Sequence, residues 1–130
     1  MFGFFSKYKD VTVRQVAQAM VNDPTPKIKG TFIEKKGDIT YSCAIGGAAL
    51  ALGVDEDSLA FELGGVHEDG ITPVFRASLY NRAGVRGRIF DHNDLTDRPK
   101  AQIGQIILNT ADEKTLNTKV SVRKNRHIGL

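Results

Sequence analysis

The segment at residues 41–53 constrains the fold more than any other part of the chain. It reads Tyr-Ser-Cys-Ala-Ile-Gly-Gly-Ala-Ala-Leu-Ala-Leu-Gly and contains the only cysteine. Such a run of small residues predicts a short helix, with Ser42 as its N-cap and Gly53 just after its carboxyl end. Glycine inside a helix is less favourable than alanine by about 1 kcal/mol. Gly46 and Gly47 therefore indicate that a backbone or a ligand lies closely against this helix.

Cys43 is placed at the junction between a predicted strand and this helix, where two interpretations are open. A thiol at a helix amino terminus can have a lowered pKa and act as a nucleophile. His92 would then serve as the base, with Asn93 or Asp94 orienting the imidazole ring. The order of a cysteine on a helix and a later histidine near a strand resembles papain-like thiol hydrolases, although the residues that usually surround such a cysteine are missing.

The alternative interpretation of the same segment is structural. A helix face formed by small residues allows another helix to pack closely against it. Four small residues of this segment have the spacing of one helix face: Ala44, Gly47, Ala48 and Ala51. Cysteine is also among the most frequently buried residue types. Asn93 and Asp94 would in that case hold the start of a helix beginning near Thr96. We favour this structural interpretation, which makes the chain more typical of a binding protein than of an enzyme.

The motifs of common cofactor sites are missing from the sequence. His67, Glu68 and Asp69 are adjacent, but no two histidines have the i, i+4 spacing of a metallohydrolase helix. The paired glycines do not belong to a phosphate-binding loop or to a dinucleotide-binding fingerprint. We therefore predict neither a metal site nor a cofactor.

The composition is that of one globular domain spanning residues 1–130. The chain is 41% hydrophobic and 25% charged, with a net charge of +3. No apolar run approaches the roughly 20 residues that cross a bilayer, so no membrane contact is predicted. A single cysteine excludes an intrachain disulfide and a cysteine-rich zinc module, which favours the cytoplasm.

Basic residues are concentrated in the second half of the chain. Arg82, Arg86 and Arg88 lie close together in sequence, and a basic strand or tail follows at about 117–130. Such a cluster could contact a nucleic-acid backbone, although no recognition motif accompanies it. A protein partner or a second copy of the chain is the other expected contact.

The pattern along the chain predicts an α+β fold in which about four helices pack on a small, mainly antiparallel sheet. Thr12 and Gln15 form a capping-box pattern at the start of a helix over 11–21. The other predicted elements are a hairpin of strands 28–35 and 38–41, helices over 55–63 and 72–84, a strand over 85–90, a polar turn at 91–94, a helix from about 96, and a strand at 119–123.

The run Ser42-Cys43-Ala44-Ile45-Gly46-Gly47-Ala48, followed later by Asn93-Asp94 and a helix, resembles a group of small uncharacterised bacterial and phage proteins. That group shares a C-A-x-G-A pattern, a later N-D pair and an amino-terminal helix. The resemblance spans roughly residues 11–110, with Gly47 where the pattern usually has alanine. It implies a phage or bacterial origin and a packing or binding unit, and it implies no reaction.

Overall fold

The structure, a computed structural model, describes residues 8–54 and 89–123. The predicted helices over 55–63 and 72–84 lie outside these residues, as do Arg82, Arg86 and Arg88. The described elements are, in chain order, β1 (Tyr8–Thr12), α1 (Val13–Asn22), β2 (Ile33–Lys36), β3 (Ile39–Ser42), α2 (Ala44–Ala51), α3 (Ile89–Asp94), α4 (Lys100–Thr110), α5 (Glu113–Leu116) and β4 (Lys119–Arg123).

The α+β class is confirmed, and the described strands form two small sheets. β1 pairs with β4, and β2 pairs with β3, both in antiparallel register. Val11 lies opposite Val120 in the first pair, and both side chains are buried. The predicted alternation of β4 is confirmed, because Val120 and Val122 face the core while Lys119 is exposed.

Helix α1 begins as the capping box predicts. The backbone N–H of Gln15 donates to Thr12 Oγ1 at 3.1 Å, and the backbone N–H of Thr12 donates to Gln15 Oε1 at 2.7 Å. The apolar stripe of this helix is fully buried and comprises Val13, Val16, Ala17 and Met20. The helix ends at Asn22, directly before Asp23-Pro24.

Helices α1 and α4 pack closely against each other and form the centre of the described core. Ile103 and Ile107 of α4 are buried on this side. Gly104 lies between them, and a Cβ at that position would be 2.5 Å from the carbonyl oxygen of Ala17. The absence of a side chain at Gly104 therefore sets how near the two helices can come.

The predicted hairpin is present but its first strand is shorter than expected. β2 begins at Ile33 instead of Ile28, because residues 26–28 lie alongside the end of β3 and bond to Ser42. The Ser42 N–H donates to the Pro26 carbonyl at 2.9 Å, and the Ile28 N–H donates to the Ser42 carbonyl at 3.0 Å. Gly37 adopts a left-handed conformation with φ of 64°, as the turn prediction requires.

The predicted polar turn at 91–94 and the last two residues of the predicted strand at 85–90 are helical in the structure. Residues 85–88 lie outside the described part, and Ile89–Asp94 form a helix. Ile89 and Asn93 are both buried, at 0% and 1% exposure. Ile89 and Asn93 are four positions apart and therefore share one helix face. Burial of both side chains on that face outweighs the strand preference of a β-branched residue such as Ile89.

Candidate functional site at the amino end of helix α2

Cys43 connects β3 to α2, as predicted, and caps the helix itself. Its Sγ accepts a hydrogen bond from the Gly46 N–H at 3.2 Å. The prediction of Ser42 as N-cap is therefore wrong by one residue, since Ser42 is the last residue of β3. Gly53 follows the carboxyl end of α2 with φ of 105°, which confirms its predicted position.

Burial controls the protonation of the Cys43 thiol. The side chain is removed from solvent, and this desolvation raises the pKa of Cys43 to about 11. The backbone N–H groups of Gly46 and Ile45 act in the opposite direction but are outweighed, and the charge of Asp94 adds to the rise. The thiol is thus neutral at physiological pH, whereas a cysteine nucleophile reacts as its thiolate.

Asn93 is brought to the same place, where it supports the backbone. Its Oδ1 accepts from the Ala44 N–H at 3.0 Å, and its Nδ2 donates to the Ile28 carbonyl at 2.9 Å. Nδ2 also donates to Asp94 Oδ1 at 2.8 Å. Asp94 Oδ1 in turn accepts from the Gly30 N–H at 3.0 Å. The two side chains therefore join α3 to α2 and to the loop before the hairpin.

This arrangement corrects the expectation that Asn93 and Asp94 hold the start of the following helix. Helix α4 begins after Pro99, which caps it without a side-chain hydrogen bond. Two of the hydrogen bonds of Asn93 instead reach residues that are 49 and 65 positions away in sequence. Local turn chemistry does not predict contacts at that separation.

His92 is engaged with the loop that follows α3. Its Nδ1 lies 3.2 Å from Nη1 of Arg98, and Thr96 Oγ1 donates to its backbone carbonyl. A guanidinium can only donate, so Nδ1 is the acceptor in this contact. With a neutral, buried thiol and an imidazole nitrogen bound to arginine, the contacts favour the structural interpretation of Cys43.

Next to Cys43 lies a buried charged residue that sequence reasoning missed. Lys100 is only 4% exposed, and its Nζ donates to three oxygen atoms. These acceptors are Asp23 Oδ2 at 2.6 Å, Thr25 Oγ1 at 2.7 Å and Ser42 Oγ at 2.8 Å. We call these four residues the Lys100 network. A signal was present, since Lys100 has the helical spacing of the buried Ile103 and Ile107.

Each proton in the Lys100 network can be assigned. The Thr25 hydroxyl donates to Asp23 Oδ1, so the Ser42 hydroxyl must be the donor in its 2.9 Å contact with Thr25 Oγ1. All three donors of an ammonium group at Lys100 have acceptors, one of them a carboxylate. The Ser42 hydroxyl thus accepts from Lys100 Nζ and donates to Thr25 Oγ1, which joins the end of β3 to this network.

The two glycines of α2 are explained by what lies against them. A Cβ at Gly47 would be 1.7 Å from Asp23 Oδ2, and a Cβ at Gly46 would be 2.1 Å from the Phe32 carbonyl oxygen. The prediction of a close neighbour is confirmed, but the neighbours are a carboxylate and the backbone of Phe32, directly before β2. Ala44 and Ala48 are buried as predicted, while Ala51 is exposed.

Residues 8–54 and 89–123 contain neither a cluster of metal ligands nor a membrane-spanning helix. No group of three or more His, Cys, Asp or Glu side chains in these ranges is placed to hold a metal ion. None of the helices described there is long and apolar enough to span a lipid bilayer.

Comparison with known proteins found no match to a protein-family model, to a curated protein or to a solved structure. Functional inference for this chain therefore depends on its own residues and their contacts.

Proposed function

We propose that the chain is a small protein-interaction domain, and that the loop between α3 and α4 carries its contact with another protein. The supporting observation is Leu95, whose side chain is 78% exposed. Only Ile39, at 50%, is a second exposed large hydrophobic residue within the part of the chain that the structure describes. A large apolar side chain on the surface gains free energy when a partner removes it from water.

The backbone around Leu95 is held in place before any partner binds. The Leu95 N–H donates to the Asp91 carbonyl at 2.8 Å. Lys27 Nζ donates to the carbonyls of Thr96 at 3.0 Å and of Arg98 at 2.6 Å. Because ordering a loop on binding reduces affinity, a loop that is already ordered favours tight association. Leu95 thus combines an exposed apolar side chain with a backbone that is already fixed in position.

The polar residues near α2 support a binding role over a catalytic one. Cys43 and Asn93 satisfy the amino end of α2, and Lys100 is saturated by its three acceptors. The proposal places the domain in the cytoplasm, in keeping with a free thiol at its single cysteine. A phage or bacterial origin is part of the proposal and rests on the sequence resemblance alone.

The proposal is tested by site-specific photocrosslinking in cells that express the full chain. A photoreactive phenylalanine derivative at position 95 should form a discrete adduct with one protein, either a second copy or another chain. The same group at Asn109, an exposed position on α4, serves as the matched control and should not form that adduct.

The binding of the protein identified in this way is then measured with purified components. Leu95→Asp should weaken the complex at least about tenfold, because a charged side chain cannot be desolvated at the contact. Leu95→Met should bind like the wild type, and both variants should unfold at the wild-type urea concentration. Equal crosslinking from positions 95 and 109, or unchanged binding by Leu95→Asp, would refute the assignment of the loop.

A further inference from the structure

The Lys100 network lies where four separate elements meet. Asp23 follows α1, Ser42 ends β3 and Lys100 opens α4. Gly47 of α2 contributes the space in which the Asp23 carboxylate lies. The side chains of both Lys100 and Asp23 are 4% exposed. Charged groups are rarely buried to this extent, so their presence at such a junction needs a physical reason.

We propose that the Lys100 network is a conformational lock that selects one docking position for α4 against α1 and α2. The apolar contacts of α4, made by Ile103 and Ile107, are not directional and would tolerate a displaced helix. Hydrogen bonds to three fixed oxygen atoms are directional. Lys100 can make all three of them in one position of α4 only. Sliding α4 by one helical turn would move Lys100 by about 5.4 Å along the helix axis. Such a shift would leave two buried charges without partners.

Gly47 is part of the same lock. Any side chain at this position would overlap Asp23 Oδ2, since even a Cβ would be 1.7 Å away. The Ser42 hydroxyl is also within 2.7 Å of that Cβ position. The Asp23 carboxylate therefore requires a glycine at position 47 of α2. The lock consequently ties α2 to the same arrangement that positions α4.

The first test compares Lys100→Met with the double variant Lys100→Met, Asp23→Asn by urea unfolding. Lys100→Met leaves the Asp23 carboxylate buried without its cation, which should lower the folding equilibrium constant at least about 100-fold. The double variant removes both charges and should recover at least about tenfold of that loss. Lys114→Met, at an exposed lysine of α5, is the control and should change the constant less than about threefold.

The second measurement distinguishes a lock from an ordinary stabilising contact. The double variant should show faster amide hydrogen exchange in α4, relative to α1, and more than one set of backbone NMR signals for α4. This test remains available if Lys100→Met alone does not fold. A double variant with a single set of signals and wild-type relative protection in α4 would overturn the proposal, as would a Lys100→Met variant as stable as the control.

Discussion

The raised pKa of Cys43 makes the stability of this protein depend on alkaline pH in a defined way. The folded protein raises this pKa from the ordinary 9.0 to about 11. The folded state thus holds the thiol proton more tightly than the unfolded chain does. Stability contributed by the neutral thiol is complete below about pH 9 and is lost as the pH rises from 9 to 11. A difference of two units between the pKa values of the folded and unfolded states corresponds to about 3 kcal/mol of stability, fully lost only above pH 11.

The substitution Cys43→Ser isolates this contribution, because serine does not titrate and can still cap α2. The free energy of unfolding is measured by urea titration of both proteins between pH 8 and pH 11. We expect the difference between wild type and variant to change by about 2 kcal/mol over this range, with the wild type losing more. Other titrating groups are common to both proteins and cancel in the difference.

Alkylation by iodoacetamide provides a second measurement of the same pKa. At pH 8 a thiol with a pKa of about 11 is about 1 part in 1,000 thiolate, against about 1 part in 10 for an unfolded cysteine. The folded protein should therefore react at least about 100-fold more slowly than the urea-unfolded chain. A native rate that levels off below pH 9, together with a pH-independent stability difference, would refute this reasoning and restore the reactive-thiol hypothesis.

Four further substitutions test the packing and capping contacts, each by urea unfolding. Asn93→Ala removes three hydrogen bonds at a buried position and should destabilise the fold by about 3 kcal/mol; a change below about 1 kcal/mol would contradict its bridging role. Gly104→Ala should destabilise despite the better helix propensity of alanine, since its Cβ would meet the Ala17 carbonyl, and a more stable variant would be inconsistent with the observed helix contact. Thr12→Ala should lose about 1 kcal/mol, and Gln15→Ala should add little further loss once Thr12 is replaced.

Local structure was predictable from sequence where short-range contacts determine it. The capping box of α1 depends on two residues three positions apart, and its buried stripe follows the helical period. Gly37 indicated the hairpin turn, because few other residues adopt its left-handed conformation. The alternation at 119–123 likewise predicted β4.

The sequence by itself also determined that something must lie closely against Gly46 and Gly47, but only the tertiary structure decided what that is. The Asp23 carboxylate and the Phe32 backbone come from distant positions, and no local pattern specifies them. The same holds for Lys100, whose partners are 58 to 77 residues away. The pKa of Cys43 was likewise decided by the tertiary structure, through desolvation of the thiol. A position at a helix amino terminus would by itself lower the pKa of Cys43, whereas burial by the assembled chain raises it.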